Sequence, residues 1–419
     1  MVCVRDNPRN ITVVGGGIIG LTLACTLLQQ GLSVTLIDGE GVSGRASSAT
    51  AGIIGGSSVI PWASKDLWLS IPTMLRNPVG PFRITWPPPQ NILPFLSKSI
   101  KSGTLVQRIQ SSKGLAELGL RGWNAWMLLS SHYPELRSLL AQNGCLLYYS
   151  NPQEMYDDDK NNATRKEMGM RLTQIETKGL QDMLPWLSDP EPSGTLIEQA
   201  GQILEPISFQ LVLKDVIKNA RGNFVFQQAL DFITEADRVR AVKTPLGNID
   251  CDVVVICAGA GSAALSKKLS VNVPILPAWG ASITLHEPEI ILKLPLLMQR
   301  AGIAVLPNSD GIRIAGLLQV GGKPHFRDAV MEEILIKQVQ KTFGRFSYRG
   351  LTAQLGPRPL TPDSLPVLGP APKYKNVFLN FGHGHWGITH AAISASVVGD
   401  LISGRMPEID ITPYRAERF

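Results

Sequence analysis

The chain has 419 residues, of which 44% are hydrophobic and 18% are charged, and its formal net charge is +6 at pH 7. This length predicts two or three domains, and this composition excludes a disordered chain. The apolar runs are shorter than the ~18 residues of a membrane-spanning helix, and we expect no secretory signal because no apolar core precedes the first predicted strand. Basic and aromatic residues do not cluster together, so no nucleic-acid partner is predicted.

The first predicted unit, residues 10–38, is a strand, a glycine turn, a helix and a second strand that ends in an acid. Gly15 permits the tight turn, Gly17 lets a pyrophosphate approach the backbone, and Gly20 lets the helix lie close to the sheet. The helix N-terminus presents unpaired N–H groups to phosphates. Asp38 can accept hydrogen bonds from ribose hydroxyls and would repel a 2′-phosphate. The unit therefore predicts a bound dinucleotide, FAD or NAD in preference to NADP.

Small residues follow over 45–52, and such a segment can pass close to a ligand. Residues 61–100 are rich in tryptophan and proline and show neither helical nor strand periodicity. They are predicted to form a loop or lid with short helical turns, and the alternative is a contact with a membrane surface. An amphipathic helix is predicted over 104–143, and a strand from Cys145 to Tyr149.

The acidic run from Asp157 to Asn161 could indicate a calcium-binding loop. Counted from Asp157, the sixth position is Asn162 where the EF-hand has glycine, and the twelfth is Met168 where it has glutamate. The run is therefore predicted to be a solvated acidic surface.

Regular patterns return after Gln202. They predict a helix over 207–220, strands at 223–228 and 238–243, a turn at 246–248, a strand buried on both faces over 253–256, antiparallel strands at 280–286, 302–307 and 311–318, and a final strand, glycine turn and helix over 377–403.

This order predicts an α/β protein, a Rossmann-like cofactor-binding domain with an inserted α+β substrate domain that carries an antiparallel sheet. The first domain would comprise residues 1–66, 196–268 and 346–419, and the second residues 67–195 and 269–345. The five cysteines form no CxxC pair, which predicts buried, reduced thiols in a cytoplasmic protein.

Three glycine-rich turns, at 15–20, 258–261 and 382–387, each follow a predicted strand. Ligands of open α/β sheets bind at the carboxyl ends of strands, so we expect the turns to converge. The third turn precedes a helix whose N-terminus would stabilise the negative charge that a flavin gains on reduction, with the N–H groups of Gly384 through Thr389 as donors.

His383, His385 and His390 lie in or after that turn, but no carboxylate or cysteine completes a ligand set, so no metal site is predicted. For His383 two interpretations stay open. It could act beside the flavin, or it could pack and hydrogen-bond within the turn.

Two prolines hold Arg358 in a stiff frame between Gly356 and Asp363. A rigid guanidinium suits a substrate carboxylate, which it can bind through two parallel hydrogen bonds. The alternative is a structural arginine that pairs with Asp363 or with a carbonyl oxygen.

Together these motifs resemble the D-amino-acid oxidase superfamily of FAD-dependent oxidoreductases, with most likeness to its bacterial D-amino-acid dehydrogenases. The resemblance implies FAD contacts from Gly15, Gly17, Ile18, Ile19, Gly20, Asp38, Ser47, Ser48, Ala51, Gly52, Leu230, Ala258, Gly259, Gly384, Gly387, Ile388 and Thr389. Ser47 and Ser48 would contact the phosphates or the ribityl chain, Ala51 and Gly52 the flavin ring, and the Leu230 backbone the adenine. Arg358 would hold the substrate carboxylate, and His383 is the second catalytic candidate.

The implied reaction is oxidative deamination of a D-amino acid by hydride transfer from the α-carbon to flavin N5, which gives an imine and then a keto acid and ammonia. The alternatives are oxidation of glycine, sarcosine or a cyclic imino acid such as D-proline or D-hydroxyproline, and a flavin-dependent role in tRNA modification. A quinone or the respiratory chain is preferred to oxygen as electron acceptor, with a peripheral contact at the inner face of the cell membrane left open. Thr50, Pro357 and the pair His385-Trp386 depart from the dehydrogenase pattern.

Overall fold

The computed structural model describes residues 10–39, 45–55, 58–62, 82–85, 92–321 and 328–419, and every structural statement below concerns these residues. Strands β1 to β21 are, in chain order, Ile11–Val14, Val34–Ile37, Ile53–Ile54, Phe82–Thr85, Leu140–Ala141, Cys145–Tyr149, Leu172–Ile175, Ser193–Ile197, Gly201–Ile203, Asn223–Val225, Asp231–Glu235, Arg238–Thr244, Gly247–Asp250, Val253–Ile256, Leu276–His286, Leu296–Met298, Ile303–Asn308, Gly311–Gly321, Gly350–Leu360, Val367–Pro370 and Val377–Phe381.

Helices α1 to α11 are Ile18–Gln29, Arg45–Ser48, Ile92–Ser102, Leu105–His132, Pro152–Asp157, Asp159–Glu167, Thr177–Met183, Pro206–Asn219, Ser262–Lys268, Ala329–Phe343 and Gly387–Ile402. Short 3₁₀ turns lie at Pro134–Leu139, Gly259–Gly261, Gly384–Trp386, Thr412–Tyr414 and Ala416–Arg418. None of the helices in the described ranges is long and apolar enough to cross a membrane.

A six-stranded sheet in the order β10-β2-β1-β14-β21-β20 forms the first layer of the described fold. Strands β2, β1, β14 and β21 run parallel, and Ile11 pairs with both Val34 and Val253. The β-branched run of β14 is buried, as a strand covered on both faces must be. Because these strands run in one direction, their carboxyl ends share one edge of the sheet, where the three glycine turns follow β1, β14 and β21.

A nine-stranded sheet in the order β19-β15-β18-β17-β16-β6-β8-β7 forms the second layer, and β4 pairs with β18 off this path. Strand β15 pairs with β19 from Leu276 opposite Leu360 to His286 opposite Gly350. The antiparallel pairing of β15, β17 and β18 agrees with the sequence pattern. Residues 350–360, which the predicted division assigns to the cofactor domain, thus belong to this sheet, while the division itself stays a prediction.

The helix predicted over 104–143 ends at His132. Pro134 then begins a 3₁₀ turn, and Leu140–Ala141 form a short strand. Proline lacks the N–H that would continue the helical hydrogen bonds, so the prediction was too long at its carboxyl end. Most of the predicted lid, residues 61–100, lies outside the described residues, apart from residues 61–62, 82–85 and 92–100.

The acidic surface prediction is wrong for Asp158, which is buried. Its carboxylate accepts hydrogen bonds from Tyr149 Oη at 2.8 Å and from Arg165 Nη1 at 2.6 Å. A buried carboxylate needs such partners, and Arg165 supplies the charge from the following helix. Asp157 and Asp159 are exposed as predicted.

Four cysteines, Cys25, Cys145, Cys251 and Cys257, are buried and unpaired, which confirms the thiol prediction for them. Cys3 lies outside the described residues.

Candidate active site

A cavity of about 700 Å³ lies at the carboxyl ends of the parallel strands. Its walls include residues of all three glycine turns, 15–19, 258–261 and 382–387. The predicted convergence of the turns is therefore confirmed. The site is built mainly from the main chain, because glycine and alanine at these turns carry little or no side chain.

The first turn depends on two glycines. Gly15 has φ +116°, and a Cβ there would lie 2.5 Å from the carbonyl oxygen of Cys257. A Cβ on Gly20 would lie 1.8 Å from the carbonyl oxygen of Gly15, so the helix can meet the strand only with glycine at this position. Helix α1 begins at Ile18, its N-cap residue Gly17 has no side chain to cap it, and its first turn contains no acidic residue. Its positive end is thus left for an anionic group.

Asp38 and Ser47 line the cavity and also hold this turn in place through hydrogen bonds. The Asp38 carboxylate accepts a hydrogen bond from the Gly16 N–H, and Ser47 Oγ accepts one from the Ile18 N–H at 2.9 Å. Both side chains therefore position the turn from β2 and α2.

The predicted FAD contacts fall into three groups. The larger cavity is lined by Gly15, Gly17, Ile18, Ile19, Asp38, Ser47, Leu230, Ala258, Gly259, Gly384, Gly387 and Ile388. Ala51 and Thr389 line a smaller adjoining cavity. Gly20, Ser48 and Gly52 line neither cavity among the described residues.

Gly52 and Leu230 have structural roles that the sequence did not indicate. Gly52 has φ +101°, and a Cβ there would lie 2.7 Å from the carbonyl oxygen of Ile203. The Leu230 N–H donates to the Lys243 carbonyl oxygen at 2.8 Å, which removes that donor from any adenine contact.

The larger cavity fits a dinucleotide. At Gly259 and Gly387 an added Cβ would meet no atom within 4 Å, so these glycines border open space that a side chain would occupy. Helix α11 begins at Gly387 and directs its N-terminus toward the same space. N–H groups and helix ends form the donor set that phosphates and a reduced flavin require.

The smaller cavity has a volume of about 440 Å³ and adjoins the larger one, since Thr50, Arg358 and His385 line both. Most of its wall is apolar, and its described lining contains two titratable side chains, Arg358 and His385. Trp62 also lines it, with Nε1 donating to the Thr361 carbonyl oxygen at 3.0 Å. Trp279 and Tyr348 pack on the core of the antiparallel sheet.

Arg358 projects from β19 across Gly280 of β15. A Cβ on Gly280 would stand 2.3 Å from the guanidinium carbon, so glycine is required there. Nη1 donates to the Leu317 carbonyl oxygen at 2.7 Å. Desolvation lowers the pKa of Arg358 to about 10, which still leaves it charged at neutral pH.

Of the two structural alternatives for Arg358, pairing with Asp363 is wrong. Asp363 instead pairs with Arg418 Nε at 2.7 Å. No carboxylate of the described ranges lies within 4 Å of Arg358. The carbonyl alternative is confirmed for one hydrogen bond, and the side chain otherwise faces the two cavities.

The three histidines have different surroundings. His383 lines the larger cavity, and its Nε2 shares a hydrogen bond of 3.0 Å with Ser394 Oγ, while burial lowers its pKa to about 3. This bond favours packing within the turn, and a catalytic role stays a prediction. Both ring nitrogens of His390 lack a hydrogen-bond partner in the described structure, and burial lowers its pKa. The described residues contain no group of three His, Cys, Asp or Glu side chains that could hold a metal ion.

Sequence reasoning missed Arg313, which is buried near the start of β18. It donates to the carbonyl oxygens of Ser48 and Thr50, the latter at 2.7 Å, and to Ser282 Oγ at 2.7 Å and Thr284 Oγ1 at 3.2 Å. Arg313 thus fixes the cavity segment 48–50 to the antiparallel sheet. No local pattern indicates it, because its partners lie up to 265 residues away along the chain.

Residues 10–401 match the family model DAO, described as FAD dependent oxidoreductase. The chain is 27% identical over 417 residues to D-amino-acid oxidase of Bradyrhizobium diazoefficiens, with 98% of this chain and 99% of the relative covered. It is 25% identical over 430 residues to D-amino acid dehydrogenase of Agrobacterium fabrum, with 98% and 99% covered. The fold is similar to that of glycine oxidase from Geobacillus kaustophilus, with a TM-score of 0.74, 18% identity and 98% and 99% of the two chains covered.

Proposed function

The chain belongs to the DAO family of FAD-dependent oxidoreductases, and on this premise we propose that it oxidises the carbon–nitrogen bond of a D-amino acid. The first product is an imine, which water hydrolyses to a keto acid and ammonia. FAD supplies the acceptor for the hydride that leaves the α-carbon. The chain's own residues bind the amino acid and the FAD and orient them relative to each other.

The cofactor would lie in the larger cavity. The N-terminus of α1 would receive the pyrophosphate, and Asp38 the ribose hydroxyls. The N-terminus of α11 would face the flavin ring and stabilise negative charge there. The open space beside Gly259 and Gly387 supports this arrangement.

The observation that carries the proposal is Arg358 on the wall shared by the two cavities. It is charged, desolvated and free of a carboxylate partner among the described residues. One hydrogen bond to Leu317 orients it, and its remaining N–H groups can bind a carboxylate through two parallel bonds. A substrate bound in this way would have its α-carbon near the boundary between the cavities.

The smaller cavity supports a substrate with a side chain. Its apolar wall includes Leu297, Met298, Ile303 and Leu317, and burial of apolar substrate surface against it would stabilise the complex by about 25 cal/mol per Å². Glycine or sarcosine would leave most of the 440 Å³ unfilled. Apolar side chains are thus favoured, and the names of the similar proteins, D-amino-acid oxidase and D-amino acid dehydrogenase, support a D-amino acid as substrate.

The test is the absorbance spectrum of the purified protein and its bleaching without air. We expect a flavin spectrum that D-phenylalanine or D-methionine bleaches faster than glycine, sarcosine or D-proline, with the L-enantiomers inactive. If only glycine or sarcosine bleaches the flavin, the alternative function, oxidation of glycine or sarcosine, would be favoured. A flavoprotein that none of these compounds reduces would contradict the proposal.

For the electron acceptor we propose a membrane quinone in preference to oxygen. Leu93 and Ile100 of α3 and Leu105 and Val106 of α4 are 60–74% exposed, which is typical of a surface that contacts lipid. The protein would then lie at the inner face of the cell membrane. Sedimentation with lipid vesicles and reduction of a soluble quinone analogue test this proposal. FAD-loaded enzyme that remains in the supernatant and passes its electrons only to oxygen would contradict it.

A further inference from the structure

We propose that His385 accepts a proton from the ammonium group of the substrate and thereby produces the neutral amine that the reaction consumes. This inference rests on the proposed function. The neutral amine is required because its nitrogen lone pair forms the C=N bond as the α-hydrogen leaves with its electron pair.

The position of His385 supports this role. It lines both cavities together with Arg358, and these two are the titratable residues in the described lining of the smaller cavity. An α-amino group is attached to the carbon next to the carboxylate. A substrate whose carboxylate is bound to Arg358 therefore has its nitrogen in the cavity that His385 lines.

The imidazole of His385 is also available to accept a proton. The side chain is exposed to the two cavities, and its ring meets Trp386 edge-on at 5.9 Å between centroids. The surrounding protein atoms, followed by the positive charge of Arg358, lower its pKa below that of a free histidine. The imidazole is neutral at physiological pH, and one ring nitrogen has an unused lone pair. Besides Arg358 and His385, the described lining of the larger cavity contains the titratable residues Asp38, Lys268 and His383. Burial lowers the pKa of His383, and also that of His390 on the following helix, so both imidazoles are neutral at physiological pH.

The substrate itself would make His385 a better base. A bound carboxylate compensates the charge of Arg358, and this removes one of the two causes that disfavour the imidazolium. One N–H bond of the ammonium then breaks, its electron pair stays on nitrogen, and an N–H bond forms on His385. When the keto acid leaves, the charge of Arg358 is again uncompensated, and His385 releases its proton to water.

The first experiment compares the pH dependence of kcat/KM in the wild type, in His385→Phe and in His132→Asn, an exposed histidine on α4 that serves as control. At pH 7.5 we expect His385→Phe to reduce kcat/KM by about 10²-fold. Raising the pH toward the pKa of the substrate ammonium supplies neutral amine from solution, so the difference should narrow to about threefold. A ratio that stays constant with pH, or an unaffected variant, would overturn the proposal.

The second experiment measures binding and needs no turnover. 2-Aminoisobutyrate and pivalate are both carboxylates with a quaternary α-carbon, and they differ only by an ammonium in place of a methyl group. Neither has an α-hydrogen to lose. We expect His385→Phe to raise the Kd for 2-aminoisobutyrate about tenfold while the Kd for pivalate is retained. Both constants are measured from the change in flavin absorbance on binding. Equal weakening of both ligands would show that the histidine only shapes the cavity, which overturns the proposal.

A third variant, His385→Gln, separates proton transfer from hydrogen bonding. Glutamine can accept a hydrogen bond but cannot take the proton, so we expect it to restore 2-aminoisobutyrate affinity without restoring the wild-type pH profile. A wild-type profile in this variant would overturn the proposal. If the wild type fails to oxidise amino acids, the proposed function fails; if it oxidises them and the variants behave like it, only this inference fails.

Discussion

Arg313 and Arg358 lie on β18 and β19, the two neighbours of β15, and Arg313 is buried whereas Arg358 is half-buried at the cavities. Desolvation lowers the pKa of both to about 10, and neither has a carboxylate within 4 Å among the described residues. Arg313 donates to four acceptors, whereas Arg358 donates to one. The lowered pKa therefore does not separate the two arginines, but their exposure and the number of their protein acceptors do, and this contrast supports the proposed role of Arg358 as the arginine that binds substrate.

The largest expected effect is on Arg358. We expect Arg358→Met to reduce kcat/KM by about 10³-fold, because loss of one partner of a desolvated ion pair costs about 2–5 kcal/mol. The loss should appear mainly in KM, with the flavin spectrum and the free energy of unfolding close to wild type. Steady-state kinetics and urea unfolding measure the two quantities. An unchanged KM would remove Arg358 from the substrate site.

Arg313 should show the opposite pattern. In Arg313→Met the carbonyl oxygens of Ser48 and Thr50 lose their donor, so the free energy of unfolding should fall by about 3 kcal/mol. Thr50 lines the cofactor cavity, so the purified variant should contain less FAD. The fraction that retains FAD should keep its KM. A variant with full FAD content and normal stability, but a raised KM, would invalidate the comparison.

The same comparison extends to His383 and His385, of which only His383 has a protein hydrogen bond. His383 has a pKa of about 3 in the folded protein against 6.5 for a free histidine. Its contribution to stability is complete above pH 6.5 and is lost as the pH falls toward 3, because the unfolded chain binds the proton first. At pH 5 the loss from this residue should be about 2 kcal/mol. His383→Asn should lower the proton uptake on unfolding by one, which unfolding curves between pH 5 and 7.5 will detect.

The smallest effect is expected at Gly280, whose lack of a Cβ gives room to the Arg358 guanidinium. Gly280→Ala should displace it and raise KM about tenfold, for a cost of about 1.4 kcal/mol. Gly350→Ala on β19 is the control, since its added Cβ meets no atom within 4 Å. Equal kinetics in the two variants would show that Arg358 does not need its present position.

The parts of this fold that the sequence predicted are those determined locally. Strand β1, the turn at Gly15 and helix α1 follow from residues within one segment, and so does the helix at Gly387. Arg358 could be proposed because two prolines flank it. Its orientation could not, since Leu317 and Gly280 are distant in sequence.

The errors arose where packing between distant segments decides the outcome. Asp158 was assigned to the surface because its neighbours are polar, yet Tyr149 and Arg165 enclose it. Arg313 gave no signal, because an arginine at an inward position of a strand can be recognised only once its acceptors are known. The pairing of strand 350–360 with β15 could not be predicted either, because it is not encoded in the strand's own pattern.

The cavity draws its walls from segments that are far apart along the chain, the turn after β1 and the turn before α11. On the ribosome the first of these turns is synthesised long before the second. The complete coenzyme site therefore cannot form until the later turn has been made, and we expect flavin insertion to come after it. Expression in riboflavin-starved cells should then yield an intact apoprotein that takes up FAD after synthesis has stopped.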